Sequence, residues 1–133
     1  MRRLTLSVPC TVLALLGCGG GASAPADRPE PPLTAREAEQ VRAYEGRITA
    51  HCSRIARAQV DPQEQPTPAQ EREAFAAADA LIALARSRPR AETGVGQDLR
   101  LLLSDVVENL EGSNCDPRMT ARLERGLGQI PVE

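Results

Sequence analysis

The stretch T34-AREAEQVRAYEGRITAHCSRIAR-A58 decides the fold class, because its apolar residues recur with a helical and not a strand period. Thr34 and Glu37 stand three apart, the spacing at which a threonine and a glutamate can each satisfy the other's backbone N–H at a helix start. Behind that start Val41, Tyr44, Ile48 and Ile55 fall on one side of a helical wheel, the stripe of a helix with one buried face. His51 lies at the border of the stripe, where a half-exposed histidine is expected.

Outward from this helix the chain repeats the pattern. Pro62, Pro66 and Pro68 break it, and Thr67 can cap a second helix with Pro68 at its first position, running to Arg88 before Pro89. That helix is rich in alanine, with Phe75, Ala78, Leu81, Ile82 and Ala85 on its inner face. A third, from about Gly96 to Glu111, is the most apolar and turns Leu99, Leu102, Leu103, Val106, Val107 and Leu110 inward. Gly112 follows its end. Asp116-Pro117 opens a fourth, shorter helix carrying Met119, Leu123 and Leu127. Short connections favour antiparallel neighbours, so residues 34–133 are expected to form an all-α, up-down-up-down bundle of four helices. One Phe, one Tyr and no Trp leave its core to aliphatic side chains and alanine.

Such a bundle has a consequence for the cysteines. Cys52 lies near the C-terminal end of the first helix and Cys115 just past that of the third, so both fall at one pole and are expected to pair. Closing that loop would constrain the unfolded chain by about 4 kcal/mol, which a thin core of this size needs. His51, Cys52, Cys115 and Asp116 also make a set that could ligate metal, but no CxxC or HxxxH spacing accompanies them. No metal and no cofactor is expected.

The N-terminus carries an address. Arg2 and Arg3 precede an apolar run, Leu4–Leu16, that is too short to span a bilayer. It ends in Leu15-Leu16-Gly17-Cys18, which resembles the lipobox of bacterial lipoproteins. The resemblance covers residues 1–18 and implies cleavage between Gly17 and Cys18, with acylation of the Cys18 thiol. It also implies residence outside the cytoplasm, where a disulfide persists. Gly19, in place of an aspartate, implies the outer membrane in a bacterium that has two. Residues 1–17 are then a cleaved signal peptide and 18–33, rich in Gly, Ala and Pro, a tether of roughly 20 Å.

Function is less legible. Removing Arg2 and Arg3 leaves 14 of the 16 arginines against 18 acidic residues, a net of −4, which disfavours nucleic acid as a partner. No nucleophile elbow or phosphate loop is present, Gly94-Val95-Gly96 reads as a turn, and the paired carboxylates Glu37/Glu39 and Glu108/Glu111 read as solvated faces. The chain is expected not to be an enzyme. It is expected to sit on the bilayer through Cys18 and to present a face to another envelope protein. Leu84 and Leu101, each opposite its helix's stripe, are candidates for that face. The alternative is a small-ligand binder with a cavity beside the alanine-rich second helix.

Overall fold

A computed structural model of the chain describes residues 29–94 and 96–132. Four helices account for most of them: α1 (Ala35–Ala58), α2 (Pro68–Ser87), α3 (Leu99–Glu111) and α4 (Pro117–Gly128), with a short 3-10 turn, Pro62–Glu64, between the first two. The protein is a small all-α helical bundle. Both threonine starts form as their spacing requires. Thr34 Oγ1 accepts the Glu37 N–H while Glu37 Oε2 accepts that of Thr34, and Thr67 and Gln70 repeat the exchange at α2.

Helix direction follows from side-chain pairs. Glu37 at the start of α1 meets Arg88 at the end of α2, and His51 near the end of α1 meets Phe75 in the first half of α2, so the two are antiparallel. Along α4, Arg118, Arg122 and Gly126 meet Glu71, Asp79 and Ile82 in turn, so α4 runs parallel to α2. This is the up-down-up-down order.

The second helix touches all three others, and that explains its composition. Ala74, Ala77, Ala78 and Ala85 are fully or almost fully buried, and small side chains let three neighbours approach one helix closely. The tightest point is Gly126 of α4, where an added Cβ would lie only 2.6–2.7 Å from three side-chain carbons of Ile82. Around this axis Ile48, Leu81, Leu99, Leu103, Met119 and Leu123 form the fully buried core.

Two boundaries differ from the sequence reading. The third helix begins at Leu99, three residues later than Gly96, because residues 91–99 form a small turn of their own. Glu92 bridges Asp98, Leu99 N–H donates to Ala91 O at 3.1 Å, and the turn uses positive φ at Gly94 (97°) and Gly96 (70°), which glycine tolerates. Asp98 then caps α3 by accepting the Leu101 N–H at 2.8 Å. At the other boundary the packed unit reaches back to Glu30. Arg88 donates to Glu37 Oε1 and to the carbonyls of Pro31 and Pro32, Glu30 accepts the Arg90 N–H, and Leu33 packs against the core.

Candidate functional site

The chemistry-bearing residues gather at one pole, where α1 and α3 end and α2 and α4 begin. Cys52 and Cys115 are joined there as a disulfide, 63 residues apart in sequence. Their chain neighbours, His51 and Asp116, meet one layer further in. His51 Nε2 lies 3.2 Å from Asp116 Oδ2, and because the carboxylate only accepts, the ring N–H donates. Asp116 is the cap of α4, accepting the Arg118 backbone N–H at 3.0 Å, and it takes the Arg118 guanidinium on both oxygens at 3.2 and 2.9 Å. Burial pushes the Asp116 carboxyl up, but the hydrogen bonds from Arg118 and His51 together outweigh it and hold it below the ordinary value of 3.8.

His51 is fully buried, which corrects the half-exposed position expected from the wheel. The wheel describes α1 alone. Phe75 of α2 covers the imidazole edge-on, with ring centroids 5.7 Å apart and planes at 69°, and Asp116 closes it from the start of α4. Its Nδ1 is buried without a hydrogen-bond partner. The four residues singled out for a metal therefore do come together, but the sulfurs are bonded to each other and the imidazole to the carboxylate. Among the described residues no group of three or more His, Cys, Asp or Glu side chains could hold a metal ion.

The two leucines proposed as a partner surface separate. Leu84 is half-buried and packs against the core, so it is not the exposed residue the sequence suggested. Leu101 is 48% exposed, and beside it Val132 (82% exposed), Pro89 and Pro131 line a shallow hollow of about 380 Å³ edged by Arg90, Asp98 and Arg100. Gly17 and Cys18, the cleavage and acylation positions, lie outside the described residues, as does the whole signal sequence. Among the described residues no helix is long and apolar enough to cross a membrane.

A second arrangement was not foreseen from the sequence. Arg118, Arg122 and Arg125 line one side of an open groove of about 500 Å³ with Pro68, Glu71, Arg72 and Phe75 of α2. Arg118 and Arg122 lie over the Phe75 ring, 5.5 and 5.0 Å from its centre. The spacing of the three arginines, four and then three residues apart, is a helical-face signal available in the sequence. The partners Phe75, Glu71 and Arg72 are set by how α2 lies against α4. The chain matches no known protein family, no curated protein and no solved structure.

Proposed function

We propose that the chain is a lipid-anchored, extracytoplasmic and non-catalytic module of the cell envelope, held to the bilayer through acylated Cys18, that engages another envelope protein. The Cys52–Cys115 disulfide carries this reading. A disulfide between two helix ends persists in an oxidising compartment, in agreement with an export signal ending in a lipobox. The hollow at Leu101 supports an interaction role, because it exposes Leu101 and Val132 together inside a charged rim.

The test is expression in a bacterium fed radiolabelled palmitate, comparing the chain with its Cys18→Ser variant. The expected result is a labelled, membrane-associated parent cleaved before Cys18 and an unlabelled variant that retains residues 1–17. An unlabelled parent, or equal labelling of both, would overturn the anchor. The interaction face is tested by site-specific photocrosslinking in living cells from position 132, beside Leu101 in the same hollow. A discrete adduct that disappears in Leu101→Arg at unchanged Tm supports it, and an adduct indifferent to that change removes Leu101 from the face.

A further inference from the structure

The chain is net negative, yet one surface is positive. The groove above Phe75 continues into a second hollow of about 450 Å³ that shares Arg122 and Arg125 and adds Arg86. Together the two hollows are lined by five arginines, Arg72, Arg86, Arg118, Arg122 and Arg125, against two acids, Glu71 and Asp79. With Asp116, which also holds Arg118, counted as a third acid, a local balance of +2 stands on a chain whose net charge is −2. The acids position the arginines without neutralising the groove: Arg118 is held by Asp116 and Glu71, and Arg122 by Asp79 at 3.5 Å. Their side chains stay 66% and 41% exposed, and each guanidinium has five N–H donors, more than these contacts use.

We propose that this arginine-lined groove between α2 and α4 is a docking site for an extended acidic segment of a partner protein. Charge complementarity sets the sign, and geometry sets the class. From Arg118 to Arg125 the cations are strung over roughly 10 Å of helix, so they do not converge on one point as a site for a single small anion would. Carboxylates two or three residues apart in an extended peptide are spaced by roughly 7–10 Å, which matches that string. The half-buried Phe75 ring lies beneath Arg118 and Arg122 and supports both guanidinium groups in the groove. The anchor argues against lipid headgroups as the occupant. The chain enters the bundle at the opposite pole, where Glu30, Pro31 and Pro32 are tied to Arg88 and Arg90, and roughly 20 Å of α2 separates that end from Phe75. This last step rests on the anchored reading given above, whereas the charge and spacing do not.

The experiment uses the full chain in neutral detergent and a fluorescein-labelled heptapeptide of alternating Asp and Gly, with an Asn-for-Asp peptide as control. Fluorescence anisotropy is expected to show binding of the acidic peptide alone, weakening as salt is raised. Arg72→Glu with Arg125→Glu lowers affinity about tenfold or more, whereas Arg36→Glu with Arg47→Glu on α1, an equal change of net charge, lowers it less than about twofold. Unchanged Tm and an intact disulfide in both double variants show that the fold is kept, and Arg122→Gln provides a milder third variant. Absence of binding, or equal losses in the two double variants, overturns the proposal. So does arginine-dependent binding to phosphatidylglycerol vesicles without peptide binding, which would assign the groove to a membrane, or full competition by millimolar inorganic phosphate, which would reduce it to an anion site. None of these outcomes depends on acylation, so failure here and failure of the anchor are separable.

Discussion

The same substitution at two glycines is expected to move stability in opposite directions. Gly46 sits exposed in the interior of α1 with nothing within 4 Å of an added Cβ, whereas a Cβ on Gly126 would meet the Cγ1, Cγ2 and Cδ1 atoms of Ile82 at 2.6–2.7 Å. In a helix interior, replacing glycine with alanine gains up to about 1 kcal/mol from backbone entropy and propensity. Gly46→Ala keeps that gain. Gly126→Ala must set it against overpacking of about 1–3 kcal/mol, because Ile82 is buried and branched at Cβ, so that both of its γ carbons meet the new methyl. The net is a loss of up to about 2 kcal/mol. With about 4–8 °C per kcal/mol for a domain of this size, thermal unfolding separates the two variants clearly. The cause is isolated in a second background. Ile82→Ala removes all three offending carbons and itself costs about 2–5 kcal/mol, but within it Gly126→Ala becomes stabilising. Ile82→Val keeps both γ carbons and gives no such reversal. If Gly126→Ala stabilises the parent as Gly46→Ala does, α4 does not approach α2 as closely as described, and the account of the alanine-rich helix falls with it.

Two further perturbations act on the polar pole. Replacing Cys52 and Cys115 together with serine opens a loop spanning 63 residues and lowers stability by about 4 kcal/mol in the chain-entropy picture, measured by urea unfolding against the oxidised parent. A loss below about 1 kcal/mol would show that the bond adds little to an already self-sufficient core. Asp116→Ala removes the α4 cap and leaves the buried His51 Nε2 unpaired, for a cost of about 2–4 kcal/mol at neutral pH. Because the folded Asp116 carboxyl titrates below its ordinary value of 3.8, its stabilisation is complete above that value and is lost as pH falls through the lower folded one. The gap between parent and Asp116→Ala therefore narrows on acidification below about pH 4, and a gap that widened there would refute the assignment.

What was legible in the sequence was what a few neighbouring residues decide. Thr34 with Glu37, and Thr67 followed by Pro68, place two helix starts because a cap is decided within a few residues; the reciprocal bond from Gln70 at the second was found only in the structure. The disulfide was legible at longer range only because bundle topology brings alternate helix ends to one pole. Leu84 and His51 were misjudged for the opposite reason. A wheel reports which side of one helix a residue takes, whereas α2 is covered by three helices and α1 is closed at its end by Phe75 and the α4 cap. The delayed start of α3 belongs to neither class: it follows from the turn through Gly94 and Gly96, whose hydrogen bonds compete with the first helical turn.

The groove shows why a chain-wide charge is a poor guide to a binding surface. A net of −2 over the whole chain argues against long-range attraction to polyanions, which depends on the summed field. At contact distances only groups within roughly a Debye length count, about 8–10 Å, and the arginines of α4 are strung along just that distance. The surplus of acids lies elsewhere. Glu111 on α3 abuts Glu124, whose side-chain hydrogen bond, with burial and the neighbouring charge, holds the Glu111 carboxyl above its ordinary 4.5. On α4, Glu124 meets an acid of α3, whereas Arg118 and Arg122 pair with acids of α2. Those exposed pairs add little to stability, and they leave the arginines of the groove in excess. An excess of one sign, kept exposed beside the acids that pair with it, is the pattern expected of a surface that meets a partner of the opposite sign, as proposed for the α2–α4 groove.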